Sequence, residues 1–274
     1  MTGVSEVRGR VAGKRVLVTG AARGMGRSHA VRLAEEGADL ILVDLCEPLP
    51  GLEYPLSSRE DLEETAELVR KQRRRAVTRV ADVRDADAMR AAVDEGVAEL
   101  GGLDASVANA GVITAGTWDT TTPEQWRLVL DVNLIGSWNT CAAALPHLVD
   151  HGGSLVNISS AAGIKGSPLT TPYTASKHGV VGMSLALANE LAARNIRATR
   201  FTPPGWPPAW HRCRCTACCP ARAPTWALFT RTRCRSRWLT PPTSATRSCS
   251  SSPMNLAMSP ACSSRSMPAS LSGR

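Results

Sequence analysis

Apolar residues fall along this chain in two alternating patterns. Short continuous runs of five to six residues occupy 14–19, Asp39–Asp44, Ala76–Val80, 103–108 and 154–159, and a sixth begins at 195–197. Runs of that length, rich in Val, Leu and Ile, suit strands buried on both faces. Between them stand stretches with helical spacing. One follows residue 26 with Ala30, Val31, Leu33 and Ala34; others cover 58–72, Ala86–Leu100, 124–131 with a second stretch to His147, and 172–194. Strand and helix alternate, which predicts an α/β fold with a doubly wound parallel sheet covered on both faces. Residues 45–57 interrupt the alternation. Their Pro and Gly content makes them a loop, close to the length at which loops are functional or disordered. Cys46 within it reads as a small buried hydrophobe.

The strand ends carry the candidate chemistry. After residues 14–19 the chain reads Gly20-Ala-Ala-Arg-Gly-Met-Gly26 and turns into a helix. Glycines there let backbone N–H groups approach a pyrophosphate, and the helix N-terminus adds a favourable dipole. The same residues also suit an ordinary glycine-rich turn. Asp44 ends the second strand. A carboxylate there can accept from both ribose hydroxyls of an adenosine and repel a 2′-phosphate, which favours NAD over NADP. Taken alone, it is equally a solvated strand-end Asp. Arg23 argues for a phosphate, but Asp44 holds the deciding position. Asp82 can reach an adenine edge or cap the next helix. Asn109-Ala110-Gly111 ends the fourth strand with small residues, as close approach to a cofactor requires.

Ser160 closes the fifth strand. Tyr173 and Lys177, four apart, share one face of a helix starting near Pro172. A Lys charge beside a phenol stabilises the phenolate, and a facing hydroxyl orients a carbonyl or alcohol oxygen. By itself Tyr-x-x-x-Lys is a common surface pairing. His147 and His151 lack metal-spaced partners and read as exposed helix-end histidines. Trp118, Trp126 and Trp138 read as packing residues.

Together these motifs resemble the short-chain dehydrogenase/reductase family over residues 10–197. Thr19-Gly-Ala-Ala-Arg-Gly-Met-Gly26 matches its cofactor loop. Asn109-Ala-Gly111 matches its Asn-Asn-Ala-Gly motif except that Ala108 replaces the first Asn, which removes a sheet-stabilising contact. Asn133, Ser160, Tyr173 and Lys177 match its catalytic tetrad. The resemblance implies a Rossmann-like fold and a hydride carried by NAD. It makes Tyr173 the acid/base, with Lys177 supporting the phenol and the nicotinamide ribose. Ser160 then stabilises the substrate oxygen, and Asn133 holds a water in a proton relay. It further implies cofactor contacts from Gly20, Arg23, Gly24, Met25, Gly26, Asp44, Asp82, Val83, Asn109, Ala110 and Gly111, besides Tyr173 and Lys177. The insertion after Asp44 resembles the mycofactocin-associated, carveol-dehydrogenase-like subgroup, where such a segment covers NAD. Family members are usually homotetramers.

Charge changes the reading of the C-terminal part. The formal net charge of +8 divides into −3 for residues 1–197 and +11 for 198–274, where there are 11 Arg and no acid. Seven of the nine Cys and 11 of the 18 Pro also follow residue 197. Family members continue differently from this point, and a lost base in one codon accounts for the change. Joining the third base of each codon to the next two forces Ala at Trp206-Pro207, Trp210-His211 and Met267-Pro268, and Glu at Met254-Asn255. The shifted frame accommodates the family's Asn-Ser-Ile-His-Pro and its closing Val-Asp-Ala. Residues 1–197 are therefore expected to form the catalytic domain, lacking its last strand, substrate lid and interface strand. Residues 198–274 are expected to be an out-of-frame, irregular tail. The cysteines at 213–219 lack zinc spacing.

Three functions follow. One is a cytoplasmic, NAD-dependent oxidoreductase acting on a small secondary alcohol or ketone, since no apolar run approaches the roughly 20 residues that span a bilayer and the start carries no signal-peptide core. The second is an impaired or unfolded product of a damaged gene. The third, weakest, is nonspecific nucleic-acid binding through the Arg-rich tail.

Overall fold

The computed structural model describes residues 9–203. Six strands form one parallel sheet in the order β3-β2-β1-β4-β5-β6. They are β1 (Arg15–Thr19), β2 (Asp39–Asp44), β3 (Ala76–Val80), β4 (Ala105–Ala108), β5 (Gly153–Ile158) and β6 (Ile196–Phe201). The order reverses between β1 and β4, and a doubly wound sheet opens a crevice at the carboxyl ends of such a pair. Leu17, Leu40, Ile41, Leu42 and Leu155 are fully buried. Each contributes about 1.5–3 kcal/mol through the water it sheds. One apolar layer, including Leu17, Ile41 and Leu155, lies on one face of the sheet, and another, including Val16, Val18, Leu40 and Leu42, on the opposite face. This is the doubly wound α/β fold that the alternating pattern predicts.

The helices are α1 (Gly24–Glu35), α2 (Arg59–Lys71), α3 (Ala86–Leu100), α4 (Pro123–Leu130), α5 (Gly136–Ala144) and α6 (Thr171–Leu191). Ser58 caps α2 in a reciprocal box with Asp61, which satisfies two orphan backbone donors. Thr122 and Gln125 form the same box at α4, with Pro123 in the first turn. Asp85, not Asp82, caps α3. Asp82 instead turns its carboxylate to Arg84, so the capping alternative for Asp82 fails.

The two helical stretches expected before His147 join into one. A π-helical turn at Asp131–Ile135 links α4 to α5, with the Gly136 amide reaching back five residues to the Asp131 carbonyl. A short 3₁₀ turn at Leu145–His147 follows. Among the described residues this combined segment, Pro123–His147, is long and apolar enough to cross a membrane. It is not a continuous apolar run, since Glu124, Arg127, Asp131 and Asn133 interrupt it. More than half of its apolar window is buried inside the protein, as the core helix of a globular domain would be.

The amino ends of the strands are held by ion pairs. The Asp104 carboxylate takes Arg15 at 2.8 Å and Lys14 at 3.1 Å. Burial alone would raise its pKa, but the Arg15 side-chain and backbone hydrogen bonds and the one from Lys14 outweigh this and hold it at about 2. β6 pairs with β5 from Gly153↔Ile196 to Ile158↔Phe201. The strand therefore continues four residues past the composition break at Arg197. The remaining expectations for the tail, its cysteines and the lost lid lie outside the described residues.

Candidate active site

The carboxyl ends of β1, β2 and β4 converge. Gly20 and Gly24 sit in the left-handed region at φ +64° and +57°, which glycine enters without strain. A Cβ on Gly26 would stand 1.9 Å from the Gly20 carbonyl oxygen, so only glycine permits this loop to close on α1. Around Gly24 the same test meets nothing within 4 Å, and Arg23, Gly24 and Met25 are exposed. The loop thus packs on one side and is open on the other.

Asp44 reaches back into this loop. Its Oδ2 accepts the Ala22 amide at 2.9 Å, and its Oδ1 accepts the Ser57 hydroxyl at 2.7 Å. Asn109 ties the switch point together. Its Nδ2 donates to the carbonyls of Thr19 at 3.0 Å and Gly20 at 3.2 Å, while its amide donates to the Thr19 hydroxyl. The Ala110 amide shares that hydroxyl. Asn109 and Thr19 therefore join β1 to β4 although Ala108 carries no side-chain donor.

On the third strand's exit, Asp82 is gripped by Arg84 at 2.5–3.0 Å. Burial opposes the Asp82 charge, but the Arg84 hydrogen bonds prevail and keep its pKa below the usual carboxylate range. Asn139 on α5 donates to the Val83 carbonyl at 2.8 Å. A Cβ on Gly136 would stand 2.5 Å from the Val83 side chain, so α5 packs directly on this turn.

The second centre lies at the end of β5 and the start of α6. Tyr173 and Lys177 face one another on the first turns of α6, with Lys177 Nζ 5.7 Å from the Tyr173 ring centroid. Such a distance is within cation–π range. Lys177 is 4% exposed, and Nζ donates to the Ile158 carbonyl at 2.9 Å. Burial lowers its pKa to about 8. Asn133, in the π turn, is fully buried. Its side chain exchanges hydrogen bonds with the Val112 backbone at 2.8 and 2.9 Å and donates to Ser176 on α6 at 3.0 Å. A Cβ on Gly111 would lie 3.2 Å from Asn133 Oδ1 and 3.5 Å from Lys177 Nζ. Gly111, Asn133 and Lys177 thus form one cluster. Ser160 Oγ, at the end of β5, accepts the Ala162 amide at 3.2 Å, and Ser159 beside it donates to the Lys177 carbonyl.

Three residues join these centres that the sequence reading passed over. Tyr54, in the 45–57 loop, accepts the Ile113 amide at 3.0 Å. Burial raises its phenol pKa. Ser57 holds Asp44, and Arg27 holds the glycine loop to α2. An aromatic inside a Pro-rich loop was the one signal available for Tyr54.

Among the histidines, His151 is exposed as expected, its ring meeting the Leu103 carbonyl at 3.0 Å, whereas His147 is partly buried and contacts Asp94 at 2.6 Å. Trp126 is partly buried, but the other two tryptophans depart from expectation. Trp118 is 93% exposed and Trp138 45%, so neither is a buried packing residue. Trp118 stands on the irregular segment between β4 and α4.

Comparison with known proteins places the chain in a family. The family model described as short chain dehydrogenase matches residues 14–208. The chain is 46% identical to the (-)-trans-carveol dehydrogenase of Rhodococcus erythropolis over 197 residues, 71% of each chain. It is similar to the crystal structure of carveol dehydrogenase from Mycobacterium avium in complex with NAD, with 50% identity and a TM-score of 0.70 over 71% of this chain and 72% of that one. A short chain dehydrogenase from Mycobacterium paratuberculosis bound to NAD matches at 49% identity and a TM-score of 0.69, over 70% and 72%.

Proposed function

The chain belongs to the short-chain dehydrogenase family, of the carveol-dehydrogenase-like type, and on that footing we propose that it interconverts a secondary alcohol and a ketone with NAD, using Tyr173 as acid/base. One observation carries this reading. Tyr173, Lys177, Asn133 and Gly111 are gathered at the carboxyl end of the sheet, beside a glycine loop that, among the described residues, has nothing within 4 Å of a Cβ placed on Gly24.

The residues present fit NAD. The Gly20–Gly26 loop offers backbone N–H groups and an α-helix N-terminus to a pyrophosphate. Asp44, already oriented by Ala22 and Ser57, retains lone pairs for ribose hydroxyls, since an ionised carboxylate accepts about four hydrogen bonds. Its charge disfavours a 2′-phosphate. Asp82 and the Val83 backbone border the adenine position, and Asn109, Ala110 and Gly111 let a dinucleotide pass close to β4. NAD supplies the hydride acceptor; the protein supplies orientation.

Tyr173 then takes the alcohol proton, and the Lys177 cation stabilises the phenolate charge while donating toward the nicotinamide ribose. Ser160 aligns the substrate oxygen by hydrogen bonding as charge develops. The Asn133 side chain is occupied by Val112 and Ser176. Its part is to fix the π turn, whose irregular backbone can hold a relay water. The experiment is to incubate the purified full chain with NAD and a panel of cyclic and acyclic secondary alcohols, following reduced nicotinamide by absorbance. Turnover of at least one alcohol supports the reading; none, with NAD bound, refutes it.

A further inference from the structure

Arg27 is the residue that the site uses and the chemistry above leaves unassigned. It stands near the start of α1, its side chain 23% exposed, with its guanidinium engaged by the glycine loop and α2. Its Nε and Nη2 donate to the Ala22 carbonyl at 2.9 and 2.6 Å. Nη2 also donates to the Asp61 carbonyl on α2 at 2.8 Å, and Nη1 to Glu64 at 2.7 Å. Thr65 adds its hydroxyl to the same Ala22 carbonyl at 3.1 Å.

The amide side of Ala22 is held too, by Asp44 Oδ2. The other oxygen of Asp44 is held by Ser57. The adjacent Ser58 amide is capped by the Asp61 carboxylate at 2.8 Å, and Asp61 returns to Arg27 through its carbonyl. The hydrogen bonds therefore close a circuit through Ala22, Arg27, Asp61, Ser58, Ser57 and Asp44. It links the glycine loop, the end of the 45–57 insertion, the start of α2 and the proposed ribose carboxylate. A planar guanidinium can serve three acceptors in fixed directions, whereas an ammonium is a single point.

We propose that Arg27 is a positioning residue for the adenosine end of the cofactor. It fixes the Ala22 carbonyl and thereby the backbone at residue 22, whose amide in turn holds Asp44, without touching the ligand. This rests on the NAD reading given above. In an open circuit, the loop and carboxylate would have to be ordered by the ligand itself, at the expense of affinity. The nicotinamide end lies on the other side of the switch point and does not depend on Arg27.

The test is calorimetric titration of the full chain with NAD and with ADP-ribose, for wild type, Arg27→Met, Arg27→Lys and Glu64→Gln, with a thermal melt of each. Arg27→Met should weaken both ligands by a common factor of about tenfold or more, with kcat at saturating NAD and the alcohol KM within about twofold of wild type. Arg27→Lys should recover part of the loss, and Glu64→Gln, an exposed partner, should bind as wild type does. If Arg27→Met does not fold, Arg27→Lys decides. Weakened ADP-ribose binding with an intact melt supports the proposal, and wild-type affinity overturns it. Wild-type affinity in a folded Arg27→Met also overturns it. A wild-type chain that binds neither ligand refutes the NAD reading itself, and the role of Arg27 with it.

Discussion

The two halves of the crevice are built differently. Around Ala22, Asp44 and Asn109, side chains and backbone groups satisfy one another through a connected set of hydrogen bonds. Around Tyr173 and Lys177, a lysine is buried and donates to the Ile158 carbonyl, and burial depresses its pKa. The segments nearby expose Ile113, Trp118 and Ile164 to solvent. The first half is internally satisfied by its own hydrogen bonds. The second stores an unfavourable burial of charge, which is how reactive sites commonly trade stability for chemistry.

The comparison can be broken most sharply at Tyr173. Tyr173→Phe should lower kcat by about 10³-fold, the scale of a lost acid/base group, and leave NAD affinity within about twofold by titration. A large loss of NAD affinity would mean that the halves are not separable.

Next in size is Lys177. Its folded pKa of about 8 lies below the ordinary 10.5. Between those values the unfolded chain binds more protons than the folded one, so stability rises with pH across that window. The difference amounts to about 3 kcal/mol between its two limits. Lys177→Met should therefore raise the melting temperature at neutral pH, flatten the alkaline rise and abolish turnover. Melts from pH 7 to 10.5 check this; a destabilised variant with the rise intact would contradict it.

Around the glycine loop, Gly26→Ala forces a Cβ against the Gly20 carbonyl and the Asn109 side-chain Nδ2. It should cost about 1–3 kcal/mol by overpacking and weaken NAD binding sharply. Asn109→Ala leaves the Thr19 and Gly20 carbonyls without their donor. It should cost about 1–2 kcal/mol in urea unfolding, with the side-chain ties between the two strand ends reduced to the Thr19 hydroxyl while the β1–β4 ladder stays. Smallest is Trp118→Ser, which should change stability by less than about 0.5 kcal/mol. A larger loss would mean that Trp118 packs against a surface in solution.

Much of this was legible in the chain. β2, β3 and α3 fall where the apolar runs and helical spacing place them; β2 is clearest, because a strand buried on both faces admits few polar residues. The glycines, Asp44 and the Tyr173/Lys177 spacing also carry their geometry in the sequence, since each pair is local or sits at a strand end. What was hidden depends on contacts between distant segments. The π turn at Asn133 is a one-residue slip in hydrogen bonding that leaves the apolar period nearly unchanged. Arg27, Ser57 and Tyr54 look like ordinary surface residues until α2 and the insertion fold over the glycine loop. Asp82 lost its capping role to Asp85 because Arg84 captured its carboxylate first. Trp118 was misread because an aromatic reports apolar area, not whether a layer exists to bury it.

The most direct measurement is calorimetric titration of the wild-type chain with NAD and, in parallel, NADP. A glycine loop with Asp44 at the ribose predicts saturable NAD binding at one site per chain and NADP weaker by about 100-fold, or about 3 kcal/mol. No binding of NAD, or NADP bound as tightly as NAD, would contradict the account.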